Sequence, residues 1–521
     1  MNDWNTVLGG NPQAKTPHLK ALAAKGITFA NAHCAAPACG PSRAAIMSGI
    51  RPSTSGNYIN NNSLIHNPIL NHAVLLPEFF QGHGYRVIGG GKLFHGYHFN
   101  AEVKGRGFDD YFPSKTQDLP SFKDLKFSSK LPLGGWARRV DWGPCHPDVT
   151  LDDHPDGKTT NWATKQLKDG KLPEPFFLGV GIFQPHLPNF APREYFDRFP
   201  LKDIELPQGF KENDLDDVPK AHAKMAHNPW LKRIRQTGQW KPAIQAYLAC
   251  TAMVDDLIGQ LVRALESSDY ADNTIIVLWS DHGYQLGEKK GWSKMKPWLD
   301  SARVNLMVSG PRVAQGQTCA KAVSLLDLYP TLMEMFDVSA PPQTLDGNSL
   351  MPLLTDPDSK WDKPVLMTSE AEGIRYDVVL SNEYRMTRLA TGETELYRLD
   401  GDPHEFNNLA GDAKYAGVVN ELSRYLSFGH AEPDHHGWLE AEVLPRQTSS
   451  DFKERGNFHY PEARAEASGG RVICADLRRF ADGQGQLPGT GGAGRGGRRA
   501  PTGRRRLGGW GLLASDGSRG R

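Results

Sequence analysis

Two apolar periods alternate along this chain. From Ala243 to Leu265, the residues Ile244, Tyr247, Leu248, Val254, Leu257, Ile258, Leu261 and Leu265 recur at helical spacing, the stripe of a buried helix face. Thr274 to Trp279 (TIIVLW) follows, short, β-branched and apolar, as a buried strand requires. Pro175 to Phe183 (PFFLGVGIF) is a second run of this kind, and Ile27 to Ala30 and Val304 to Val308 are further candidate strands. Leu325 to Phe336 predicts another helix. Thr16-Pro17 followed by Leu19, Leu22 and Ala23 predicts an N-cap, a proline at the first helical position and an apolar face, with Gly26 ending the helix. Apolar strands alternating with long helices predict an α/β fold with a largely parallel central sheet.

After about residue 375 the period shortens. Tyr376 to Leu399 predicts two or three alternating strands with a turn at Ala390-Thr391-Gly392, and a covering helix near Tyr415 to Leu426. This divides the chain into a catalytic-sized domain at 1–375, a smaller antiparallel α+β subdomain at 376–464 and a remainder at 465–521. That remainder contains GGAGRGGRRAPTGRRR, a low-complexity stretch that predicts a disordered tail. An RNA-binding tail is a weaker reading, because no aromatic interleaving supports it beyond Trp510.

Composition narrows this little. The 521 residues carry a formal net charge of +1, which favours neither nucleic acid nor an acidic membrane surface as a partner. No apolar run of ~18 residues predicts a membrane span. The six cysteines, Cys34, Cys39, Cys145, Cys250, Cys319 and Cys474, show no CxxC or zinc-like spacing and read mostly as buried thiols; disulfides stay open. The opening Met1-Asn2-Asp3-Trp4 is polar. Read as a true start it predicts a cytoplasmic protein; a leader ahead of it predicts a periplasmic or secreted one.

The chemistry concentrates at Cys39-Gly40-Pro41-Ser42-Arg43, a C-x-P-S-R pattern extended downstream by Ser48-Gly49-Ile50-Arg51-Pro52-Ser53-Thr54. Further segments follow in order: Gly91-Lys92-Leu93-Phe94-His95, Gln184-Pro185-His186-Leu187-Pro188 and Ser280-Asp281-His282-Gly283. Leu286-Gly287-Glu288, Gly291-Trp292-Ser293-Lys294, and Asp402-Pro403 with Glu405 and Asn407-Asn408-Leu409 complete the series. Over about residues 3 to 410 the chain resembles the formylglycine-dependent type I sulfatases, and within them the iduronate 2-sulfatase-like group.

That resemblance implies an alkaline-phosphatase-like α/β sandwich that hydrolyses sulfate esters of sugars or polysaccharide fragments. Cys39 would be oxidised to formylglycine by a formylglycine-generating enzyme or its equivalent. One hydroxyl of the hydrated aldehyde would attack sulfur and the other would later expel sulfate, which a plain serine has no easy way to do. Lys92 and Lys294 would place positive charge on the sulfate, Arg43 would hold the nucleophile, and His95 would act as base when sulfate leaves. His186 would contact the substrate and protonate the leaving alcohol. Asp281, His282 and residue 39 would bind one Ca2+ at the end of a strand, where open α/β sheets place their sites. Taken singly, each Lys or His would read as a solvated surface residue; their coincidence with ordered motifs reverses that.

The same resemblance places a first central strand ahead of Met1, ending in two adjacent aspartates that complete the calcium shell. The chain as given therefore predicts an incomplete shell, a vacant position in the middle of the sheet and weak turnover. Two rivals remain at this stage. One is a choline sulfatase or a phosphate or phosphonate monoesterase on the same fold. The other is an inactive homologue that at most binds sulfated glycans.

Overall fold

The TIIVLW run folds as the strand Ile275–Trp279, and its alternate residues enter opposite cores. Ile275, Val277 and Trp279 join one apolar cluster; Ile276 and Leu278 join the other. Leu306 and Val308 split from Met307 in the same way. A sheet buried on both faces needs continuous apolar strands, which is why these segments lack polar alternation. In this computed structural model the described residues are 1–60, 64, 67–95, 106–113, 141–226, 229–426, 431, 472–475 and 477–479, the last two segments by backbone path only.

Among the described residues the central sheet has nine strands. In spatial order they are Gln317–Cys319, Gly26–Phe29, Leu306–Ser309, Ile275–Trp279, Val472–Ala475, Leu477–Arg479, Phe176–Gly181, Arg86–Gly91 and Asp110–Pro113. Phe176–Gly181 pairs in parallel with Arg86–Gly91, and Arg86–Gly91 with Asp110–Pro113, while Leu306–Ser309 runs antiparallel to both of its neighbours. The helix Trp240–Glu266 packs against one face and Cys39–Ser48 contributes to the other.

Four sequence expectations need correcting. The segment 465–521 is not uniformly a disordered tail: Val472–Ala475 lies parallel to both Ile275–Trp279 and Phe176–Gly181. The position expected to be vacant is therefore filled. Val472-Ile473-Cys474-Ala475 is a short apolar run that the Gly/Arg-rich average conceals. The Gly/Arg stretch itself and Trp510 lie outside the described residues. Thr16 precedes the helix Pro17–Ala23 without capping it. Its hydroxyl is engaged with Thr6, and Asp255 of the long helix takes over, accepting the backbone N–H groups of His18 and Leu19 at 3.0 and 2.7 Å. The expected strand 304–308 divides at Asn305, so that Arg303–Val304 pairs with Ala32–His33 in a separate small sheet. The break lets buried Asn305 donate to the backbone carbonyls of Met1 and Asn2.

The four-stranded antiparallel sheet Val365–Ala371, Ile374–Leu380, Tyr384–Leu389 and Thr394–Arg398 begins before residue 376. Its first hairpin turns through Glu372 and Gly373, both at positive φ. The helix Ala416–Ser423 covers one face through Leu422 against Val379, Met386 and Leu396; Met367, Val378 and Tyr397 of the other face join the main core. Among the described residues no helix is long and apolar enough to cross a membrane. The five cysteines with described side chains are free and buried.

Candidate active site

Cys39 is the first residue of the helix Cys39–Ser48, which ends on Gly49 at φ 71° with its N–H on the Ala45 carbonyl. The thiol is fully buried. A helix start carries unsatisfied N–H groups and partial positive charge, so it suits an anionic nucleophile or a bound oxyanion. One of these donors, Gly40 N–H, is taken by Asn60 Oδ1 at 2.8 Å.

The residues expected to meet at Cys39 come from separate strand ends. Lys92 follows the strand Arg86–Gly91, and its Nζ lies 3.7 Å from Cys39 Sγ. Its direction depends on Gly91, at φ 75°, where a Cβ would stand 1.9 Å from the Gly181 carbonyl oxygen. Lys294 approaches from the loop after Ile275–Trp279, with Nζ 2.6 Å from Sγ. His282, at the end of that strand, places Nε2 3.2 Å from Sγ and 3.1 Å from Lys294 Nζ. His282 Nδ1 is 2.6 Å from the Gly283 carbonyl. A carbonyl only accepts, so Nδ1 carries a proton, and Nε2 is the atom turned toward Cys39 and Lys294.

His186 obeys the same logic, with Nδ1 2.5 Å from the Leu187 carbonyl and a side-chain hydrogen bond to Cys39. Its turn is fixed by Asp156, whose two carboxylate oxygens accept the backbone N–H groups of Phe183 and Gln184 at 2.8 and 3.0 Å. His95 lies within electrostatic reach of Cys39, Lys92 and Lys294, and a Cβ on Gly40 would be 3.6 Å from its Nδ1. Arg43 lies one turn along the same helix from Cys39. It is buried, donates to Asp281 Oδ2 at 2.7 Å and bonds the Lys92 carbonyl, so it ties the two strand ends together.

Charge sets the protonation states. Burial alone would push the Cys39 thiol up, but the ammonium groups of Lys294 and Lys92, with His282, hold it well below the usual thiol value. Burial, then the Lys294 and Lys92 charges, push His186 down to about 3. Burial and the Lys92, Lys294 and Arg43 charges, against the opposing pull of Cys39, bring His95 to about 4. Both imidazoles are therefore neutral near pH 7. Burial opposes ionisation of Asp281, yet the Arg43 guanidinium and His282 keep it well below the ordinary carboxylate range. Three cationic side chains in one buried site form a receptor for a compact anion.

A metal fits less well. One ligating atom from each of Cys39, Asp281 and His282 lies within 4.8 Å of the others. Calcium takes six to eight oxygens; this set offers one carboxylate, one imidazole and residue 39. Asp281 Oδ2 is already engaged by Arg43, and His282 Nε2 faces Lys294. Among the described residues these donors do not make a calcium shell.

Two contributors escaped the sequence. Phe183 ends the expected strand run, but its ring lies 4.6 Å from Lys92 Nζ and 4.8 Å from the His186 ring, a platform for both. Asp156 shows in sequence only as an acid in the first turn of the helix Pro155–Lys168; its reach to the 183–184 backbone is tertiary.

Comparisons with known proteins bear on the family and the fold. A family model described as Sulfatase matches residues 1–338, and one described as N-sulphoglucosamine sulphohydrolase, C-terminal, matches residues 287–431. A sulfatase from Formosa agariphila is 35% identical over 478 residues, covering 89% of this chain and 90% of that protein. The iduronate 2-sulfatase of Mus musculus is 26% identical over 519 residues, covering 81% of this chain and 92% of its own length. In fold, the chain is similar to the crystal structure of a phosphonate monoester hydrolase of Agrobacterium radiobacter, with a TM-score of 0.64 at 20% identity, covering 81% of this chain and 92% of that one.

Proposed function

The chain belongs to the sulfatase family and is a hydrolase of sulfuric esters; on that premise we propose that it removes sulfate from sulfated sugars, with residue 39 as the nucleophile after conversion of Cys39 to formylglycine. The observation that carries this reading is the meeting of Lys92, His186, His282 and Lys294 on one buried side chain at position 39. Formylglycine supplies a gem-diol, one oxygen of which attacks sulfur while deprotonation of the other expels sulfate.

The chain's own residues do the rest. Lys92 and Lys294 flank the sulfur position and offset the charge that builds on its oxygens. His186 is neutral with Nδ1–H committed to Leu187, so its Nε2 takes a proton from the attacking hydroxyl or from water. It can return that proton to the leaving alkoxide. His95, also neutral, is the acceptor for the second hydroxyl when sulfate leaves. Arg43 donates to Asp281 and the Lys92 carbonyl and so fixes the frame of the site. The net change is ester plus water to alcohol plus hydrogen sulfate. The mouse iduronate 2-sulfatase among the relatives supports a sulfated uronate as the substrate.

A substrate panel tests this: an aryl sulfate, a 2-O-sulfated uronate disaccharide, choline sulfate and a phosphonate monoester. The account expects the sulfated sugar to give the largest kcat/KM. A preference for choline sulfate or the phosphonate would replace the sugar assignment with one of those two.

A further inference from the structure

Lys294 directly follows a ring of chain that resists its own shape. Gln285 and Ser293 close the ring by exchanging backbone hydrogen bonds of 2.6 and 2.8 Å. In and beside it, Lys289, Lys290, Ser293 and Met295 all have positive φ, at 48°, 50°, 82° and 67°. None is glycine, so each is held in a conformation that L side chains disfavour. Such residues persist only where their surroundings over-determine them.

The over-determining contacts lie on both sides of the ring. Met295 N–H donates to the Pro37 carbonyl at 2.9 Å, tying the ring to the stretch that leads into Cys39. On the other side Lys289, only 1% exposed, donates from Nζ to Asp214 Oδ1 at 2.9 Å and to the Glu405 carbonyl. Glu405 is itself fixed, since its carboxylate accepts from Arg385 at 2.6 Å and from Leu299 N–H at 2.8 Å. A buried Lys–Asp pair contributes little net stability. It does fix one register, because any slip of the ring strands an ammonium and a carboxylate away from water.

We propose that Lys289, clamped by Asp214 and the Glu405 carbonyl, is a positioning residue that holds the 285–293 ring in its course and so aims Lys294 at residue 39. Lys289 touches neither substrate nor reacting atoms. The inference rests on the reading of Lys294 as a sulfate-binding cation and adds the device that places it.

The test is the double variant Lys289→Met/Asp214→Leu, which removes both charges and leaves no buried ion unpaired. The expected result is a folded protein with a melting temperature near the parent's. Its kcat on an aryl sulfate falls about tenfold or more while KM stays within about threefold, as for a misplaced group. Adding Lys290→Gly and Met295→Gly recovers most of the lost kcat, because glycine adopts positive φ without strain. A crystal structure of the double variant shows Lys294 Nζ withdrawn from hydrogen-bond reach of residue 39. A kcat within twofold of the parent, a loss that the glycines do not recover, or Lys294 still in place would each overturn the proposal. The crystallographic readout needs no turnover. If Lys294→Met leaves the parent's turnover unchanged, it is the reading of Lys294 that fails, and the crystal structure still decides the clamp.

Discussion

Replacing Lys294 by methionine keeps the side-chain stem and deletes a charge 2.6 Å from Cys39 Sγ; Lys92→Met deletes one at 3.7 Å. At an effective dielectric constant of ~20, a unit charge attracts an opposite one by about 6 kcal/mol at the first distance and about 4.5 at the second. Much of this attraction is present before reaction, since the sulfate ester is already anionic, and only the part that grows in the transition state accelerates the step. Loss of one preorganised donor lowers kcat about 10²- to 10³-fold. The distances place Lys294 toward the upper end of that range and Lys92 toward the lower. Initial rates on 4-nitrophenyl sulfate measure this, with thermal unfolding as a control for folding. Turnover of Lys294→Met within tenfold of the parent would refute the reasoning. So would a larger loss for Lys92→Met than for Lys294→Met.

Three further outcomes are expected. Cys39→Ala abolishes aryl sulfate hydrolysis and leaves circular dichroism and melting unchanged; measurable turnover in that variant contradicts the assigned nucleophile. Calcium binds weakly, with a dissociation constant of about 10⁻⁴ M or higher, because Asp281 is the single carboxylate in the cluster at Cys39; isothermal titration showing submicromolar binding refutes the ligand count. Burial pushes Asp327 up to about 7, even though it accepts N–H groups from Ser324 and Asn348. An acid with a raised folded pKa stabilises fully below its unfolded value of about 3.9 and loses that contribution as pH rises through the folded value. The parent therefore loses stability relative to Asp327→Asn between about pH 4 and pH 7 in urea titrations; parallel curves for the two proteins contradict this.

The sequence revealed the buried strands because a sheet covered on both faces writes itself as uninterrupted apolar runs. Ile275–Trp279 and Phe176–Gly181 lie within two residues of the expected limits. It revealed the antiparallel sheet through period-two alternation over 376–399. It brought Cys39, Lys92, His186, His282 and Lys294 to attention as motif members, but motif order says nothing about distance. Their meeting depends on Gly91 and Gly181 letting two strands approach and on positive φ at Lys289, Lys290, Ser293 and Met295, none of them a glycine that would signal it. Asp255 replaced Thr16 as a helix cap because a carboxylate on a neighbouring helix reached the orphan N–H groups first; propensity rules see only local candidates. The strand Val472–Ala475 was hidden by averaging over a low-complexity neighbourhood.

The central claim is that residue 39 acts as formylglycine in a sulfatase site. Mass spectrometry of the tryptic peptide containing position 39, taken from a preparation whose sulfatase turnover has been measured, tests it most directly. The account predicts the aldehyde in place of the thiol, with specific activity rising in proportion to the fraction converted across preparations. Full activity from protein carrying only the unmodified Cys39 thiol would contradict it.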